Sequence, residues 1–272
     1  MYGAIIGDIA GSIYEYDQIK EVKEVNIDKI IEKESFYSDD TILTIAILDC
    51  ILNNGDYNEY LRKYISKYKD YKPNYEKTFN TIISPNIIRW SKSNIEGLSK
   101  GNGAMMRISP VGYLFNSEKD VINNAYKATK PTHNTYEAID SATKIALIIY
   151  YLRKGLSKEE VFNKLDLKVE YTPFNKFNLT CSETIDNCLY TFYNSNSFED
   201  AIRSTIKMGG DTDTNAAIVG SMAEAIYKID DSLKKEAIDK LPNEFKNVLD
   251  TYEKKLIKKN SDIILISKGV LL

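Results

Sequence analysis

Apolar residues recur at three- and four-residue steps along most of this chain, the period of a helix. Ile42, Ile45, Ala46, Leu48 and Leu52 follow that rhythm after Ser38, and Gly55 marks a stop. Tyr136 to Leu152 predicts a second strong helix. Asn134 reads as its N-cap, Glu137 as the reciprocal partner, and Gly155 follows its end. Asn215 to Ile229 is rich in Ala, Ile, Val and Met and predicts a buried helix whose small residues permit close packing. Weaker helices are predicted over Ile5–Tyr14, Tyr57–Tyr68, Pro85–Lys92, Ala104–Val111, Glu118–Ala128, Lys158–Leu165, Ser182–Tyr193, Phe198–Lys207, Ser232–Lys240 and Asn243–Leu256. Alternating strand patterns are scarce, and the apolar run Ile263–Ile266 is the best strand candidate. Gln18–Phe36 and Val169–Thr180 are polar and irregular and read as loops. With no repeat and no low-complexity linker, the pattern predicts an all-α fold in a single domain, residues 1–272.

Composition narrows the function classes. The chain has 272 residues, 43% hydrophobic and 28% charged, which is ordinary for a globular protein with a large core. The 20 tyrosines and many β-branched residues work against helix propensity, which packing can override. A net charge of −3 disfavours a bulk electrostatic grip on nucleic acid. The Lys-rich stretches at Lys67–Lys72 and Lys254–Lys259 are interleaved with other residue types and read as solvated helix faces. Three irregularly spaced cysteines, with no CxxC, fit reduced thiols in a cytoplasm and exclude a structural zinc site of that type. The start, MYGAIIGDIAGS, lacks a basic region and contains Asp8, so it does not read as a signal peptide. The longest apolar run, Ile145–Leu152, is too short to cross a membrane. A single histidine excludes HExxH and three-histidine zinc sites and leaves carboxylates and metal as the main catalytic means.

Two acidic clusters carry that chemistry. Ser38-Asp39-Asp40-Thr41 and Gly209-Gly210-Asp211-Thr212-Asp213-Thr214 each pack two carboxylates beside hydroxyls. Either alone reads as a helix start, with Ser38 or Asp211 as cap and acids in the first turn. Together they point further. Crowded carboxylates are costly to bury unless a cation lies between them. Oxygen ligands of this type suit Mg²⁺, Mn²⁺ or Ca²⁺. The second cluster also borders an apolar helix rather than open solvent. Asp211-Thr212-Asp213-Thr214 matches the DxDxT loop of haloacid-dehalogenase phosphatases as well. That loop follows a hydrophobic strand in an α/β fold, whereas Lys207-Met208-Gly209-Gly210 precedes it here.

Three further stretches stand out. Gly101-Asn102-Gly103-Ala104-Met105-Met106-Arg107 offers glycines for close backbone approach to a phosphate, and a cation that either adds charge or pairs with an acid. Gly7 and Gly11, in Gly7-Asp8-Ile9-Ala10-Gly11-Ser12-Ile13-Tyr14-Glu15, suit a tight helix crossing. His133 precedes a helix in Pro131-Thr132-His133-Asn134 and reads either as a satisfied surface residue or as a ligand contact.

In this order the motifs resemble the ADP-ribosyl-glycohydrolase family, which includes the dinitrogenase-reductase-activating glycohydrolase and the ARH-type hydrolases. They run from residue 7 to residue 220. The resemblance implies an orthogonal helical bundle with two Mg²⁺ ions, Mn²⁺ being the substitute, at the base of a cleft. It implies metal ligation by Ser38, Asp39, Asp40, Asp211, Asp213 and Thr214, with Ser38 replacing the family's usual Thr. It implies an ADP-ribose diphosphate held by Gly101, Asn102, Gly103, Ala104, Met105 and Arg107, with His133 nearby. Close relatives often read His-Asn-His-Pro where this chain has His133-Asn134-Thr135-Tyr136. Glu15 matches a glutamate proposed as general acid/base, and Asp40 and Asp211 are the other catalytic candidates. The implied reaction releases ADP-ribose from a modified protein or small molecule, nucleic acid being a weaker acceptor candidate. A module that binds ADP-ribose without turnover is the alternative. A monomer is the default expectation.

Overall fold

A computed structural model describes residues 1–78 and 81–267, with side chains described as far as residue 256. Its regular structure is helical. The N-terminal half holds α1 (Tyr2–Gly11), α2 (Glu15–Gln18), α3 (Asp39–Leu52), α4 (Tyr57–Tyr68), α5 (Pro85–Ser91), α6 (Gly103–Met106), α7 (Ser109–Leu114) and α8 (Glu118–Thr129). The remainder holds α9 (Tyr136–Arg153), α10 (Lys158–Lys164), α11 (Cys181–Asn194), α12 (Phe198–Lys207), α13 (Thr212–Ala223), α14 (Asp231–Asp239) and α15 (Asn243–Ser267). Strand pairing among the described residues is limited to two isolated bridges, Leu98 with His133 and Gly101 with Thr180. The chain is all-α, as its periodicity predicts. Among the described residues no helix is long and apolar enough to cross a membrane.

Local chemistry explains most boundaries. Ser38 caps α3, its Oγ accepting from Asp40 N. Ser157 and Thr180 form reciprocal capping boxes with Glu160 and Glu183 at the starts of α10 and α11. Caps of this kind contribute about 1 kcal/mol each. Four expectations need correction. Thr135, not Asn134, caps α9, because its extended backbone lets Oγ1 accept from Ala138 N; Glu137 instead accepts from Ser182 N. The helix predicted over Ala104–Val111 is two helices, because Pro110 has no N–H and its ring crowds the carbonyl a turn earlier. The helix predicted over Asn215–Ile229 begins at Thr212 and ends at Ala223, so the acidic cluster is its first turn. Ile263–Ile266 continues α15 rather than forming a strand, since a four-residue run with no partner has no ladder to join.

Two helices form the centre, α1 and α13, and every residue of both is buried. Their backbones nearly touch. A Cβ on Gly7 would fall 2.0 Å from Ala216 O, one on Gly3 would fall 2.1 Å from Gly220 O, and one on Gly11 would fall 2.4 Å from Asp213 Cα. The tight crossing expected from Gly7 and Gly11 is therefore present, and α13 is the partner. Before α13 the chain turns through Gly209 and Gly210, at φ +73 and +75. That backbone region strains any residue with a side chain.

Candidate active site

The α1–α13 crossing brings the two acidic clusters together. Ser38, Asp39 and Asp40 start α3, and Asp211, Asp213 and Thr214 start α13. Both helix N-termini thus present positive dipole ends to one spot. Asp40 joins the clusters: its Oδ2 accepts from Ser38 Oγ at 3.1 Å and from Thr214 Oγ1 at 3.2 Å. Its Oδ1 is buried and has no hydrogen-bond partner among the described residues. A buried, unpartnered carboxylate oxygen is costly unless a cation takes it.

Asp8 and Asn178 were not among the site residues expected from sequence. Asp8, on α1, is fully buried, and its oxygens accept from Ser38 N at 2.9 Å and Thr41 N at 3.0 Å. It anchors the start of α3 to α1. The signal was a lone Asp between Gly7 and Gly11 in an apolar helix. Carboxylate oxygens of Asp8, Asp40 and Asp213 lie within 4.8 Å of one another, as do those of Glu15, Asp211 and Asp213. Asp213 belongs to both groups. The donors are all oxygen, which fits hard divalent cations. Asp211 is held by Asn178, whose Oδ1 accepts from Asp211 N at 2.8 Å, and by Asn102, whose Nδ2 donates to Asp211 Oδ2 at 2.6 Å. Asn178 sits in an irregular segment with no local pattern to mark it.

Glu15, Asp39, Asp40, Asp211 and Asp213 line a cleft of about 590 Å³, which the fully buried Asp8 does not reach. Glu15, half-buried at the start of α2, faces it, as does the half-buried Asp39. Asn102, Gly103, Arg107 and His133 line it as well, whereas Ala104 and Met105 point into the core and Gly101 lies just behind. Arg107 is buried and donates to Thr132 Oγ1 rather than to a carboxylate, with burial pulling its pKa down to about 10. The Asp211–Thr214 stretch follows a helix and two glycines, so the phosphatase reading, which requires a preceding strand, does not hold.

Burial and mutual repulsion disfavour the ionised form of the cluster. Burial, reinforced by the charge of Asp213, pushes the carboxyls of Asp8 and Asp39 up to about 7. Burial, then the neighbouring aspartates, holds Glu15, Asp40 and Asp213 well above the carboxylate range. Burial also raises Asp211, against the hydrogen bond from Asn102. A raised folded-state pKa means that the folded protein binds more protons than the unfolded chain. The stability from these groups is then complete below the ordinary carboxylate pKa of about 4 and is lost as pH rises through about 7. In EDTA, the thermal midpoint is expected to fall between about pH 5 and about pH 8. Added Mg²⁺ is expected to raise it more at the upper end. A midpoint in EDTA that climbs across this window would contradict the assignment.

Solved structures share this architecture. An ADP-ribosylglycohydrolase-related protein complex superposes with a TM-score of 0.66 at 20% identity, covering 92% of this chain and 94% of that one. The fold is that of an ADP-ribosylglycohydrolase. The family model described as ADP-ribosylglycohydrolase matches residues 1–263, and the chain belongs to that family. ADP-ribosylhydrolase ARH3 of Mus musculus is 20% identical over 83% of this chain and 82% of its own. The ADP-ribosylarginine hydrolase Tri1 of Pseudomonas putida (strain GB-1) is 22% identical over 84% and 70%. The ADP-ribosyl-[dinitrogen reductase] glycohydrolase of Rhodospirillum rubrum is 24% identical over 62% and 58%.

Proposed function

We propose that this chain is a Mg²⁺-dependent hydrolase that cleaves the glycosidic bond between ADP-ribose and a modified acceptor, releasing ADP-ribose. The observation that carries this reading is the pair of carboxylate groups sharing Asp213, with Asp40 Oδ1 left without a protein partner, at the base of the cleft. Ser38, Asp39, Asp40, Asp211, Asp213 and Thr214 hold two Mg²⁺ ions, with Mn²⁺ as the substitute. Bound divalent cations supply charge neutralisation and Lewis acidity.

The chain's own residues do the rest. Cleavage at the ribose anomeric carbon passes through an oxocarbenium-like state, which nearby carboxylates stabilise. Glu15 faces the cleft with its carboxylate close to Asp211 and Asp213, the position from which a carboxyl group gives up and takes back a proton. Asp40 and Asp211 fix the geometry on which that transfer depends. The Gly101–Arg107 loop and His133 bind the diphosphate half. The protein works as one domain and as a monomer. Its three buried, free cysteines accord with a reducing cytoplasm.

Release of ADP-ribose, followed by mass spectrometry, tests the reading. Arginine-, serine- and nucleotide-linked ADP-ribose and O-acetyl-ADP-ribose serve as substrates, with Mg²⁺ or with EDTA. Release from at least one substrate is expected with Mg²⁺, falling to background in EDTA. No release from any, with metal-dependent binding of free ADP-ribose intact, would make the protein a binding module instead.

A further inference from the structure

We infer that Arg107 and Thr132 lock His133 as the neutral tautomer with its proton on Nε2, so that this N–H is a fixed donor into the cleft. Two donors converge on the other ring nitrogen. Arg107 has no acceptor atom, so its Nη2 can only donate, and it lies against Thr132 Oγ1 and 3.4 Å from His133 Nδ1. Thr132 Oγ1, which accepts from Arg107 and still has its own hydrogen to donate, stands 2.6 Å from the same Nδ1. A proton on Nδ1 would face the guanidinium and leave the buried Thr132 hydroxyl hydrogen without an acceptor. A flipped ring would place a carbon against both donors. Nδ1 therefore accepts, and the proton is on Nε2.

His133 and Gly103 both line the cleft, and Nε2 is the ring nitrogen beside Gly103. It sits over the glycine loop, where a Cβ on Gly101 or Gly103 would fall 3.5 or 3.7 Å from it. Neither hydrogen bond of the His133 side chain among the described residues uses Nε2. Burial and, after it, the Arg107 charge hold the imidazole well below its ordinary pKa, in keeping with a neutral ring. Thr132 and Arg107 act here as positioning residues. The donor's use, though not its tautomer, rests on the cleft binding ADP-ribose.

The chain has one histidine, so its ring-nitrogen signals need no assignment. Nitrogen-15 NMR of ligand-free protein is expected to show Nδ1 unprotonated and Nε2 protonated. A protonated Nδ1, or an even mixture, would overturn the proposal without any mutant. Thr132→Val is expected to produce a mixture of tautomers and to weaken ADP-ribose binding about tenfold, with Thr132→Ser restoring both. A tautomer unmoved by Thr132→Val would rule out the relay. ADP-ribose that binds by calorimetry but leaves the Nε2 signal in place would rule out the donor. Absence of both binding and hydrolysis would count against the proposed function, while the ligand-free spectrum would still judge the tautomer.

Discussion

Asp40→Asn and Asp213→Asn are each expected to lower ADP-ribose release by roughly 10³-fold or more, the scale seen when a preorganised charged group is lost from an active site. The substitutions keep size and shape and remove one negative charge. Asp40 is the hinge of the site: its Oδ2 ties Ser38 to Thr214, and its Oδ1 is the buried oxygen without a protein partner. Asp213 contributes to both carboxylate groups. Because each charge is a burden to the metal-free protein, both variants should unfold in EDTA at the same temperature as the parent or higher. The increase in unfolding temperature produced by Mg²⁺ should vanish in both. Circular dichroism with and without Mg²⁺, beside the release assay, separates a lost site from a lost fold. Full activity in both variants would remove these acids from the mechanism.

Gly7→Ala is expected to cost about 3 kcal/mol or more, a large share of a typical folding stability of 5–15 kcal/mol. The new Cβ would meet Ala216 O at 2.0 Å and Ala216 C at 2.3 Å. Both are backbone atoms of a helix buried on all sides, so no side chain can rotate away. The helices must separate, and Asp8 and Asp213 move apart with them. Thermal unfolding should show a drop of many degrees together with a weakened response to Mg²⁺. Gly103→Ala is the stability control, since its Cβ would meet nothing nearer than 3.7 Å. If both substitutions shift the midpoint equally, the close crossing does not set the stability.

What could be read from sequence was what residues do to their near neighbours. Ser38 as a cap and the acids after it are local facts, and the structure keeps them. Gly7 and Gly11 announced a close helix contact, though nothing in the sequence named α13 as the partner. The meeting of Asp40 with Thr214, 174 residues apart, follows only from that crossing. Asp8 escaped notice because its meaning lies in Ser38 N and Thr41 N, which it reaches across the fold. Asn178 escaped because an asparagine in an irregular loop is usually a turn residue. Asn134 fits the same local capping rule as its neighbour Thr135, but its side chain donates to Glu96 while Thr135 caps the helix.

The α1–α13 crossing also sets an order of events on the ribosome. α1 is complete at Gly11, and α13 does not begin until Thr212. At translation rates of roughly 5–20 residues per second, the glycine-faced first helix waits roughly 10–40 seconds for the segment that covers it. Throughout that interval α1 can dock on α3 through Asp8, but its glycine face stays without the α13 backbone that covers it. A chain stalled before Thr212 already holds Asp8, Glu15 and the Ser38–Asp40 cluster, yet has no site at all.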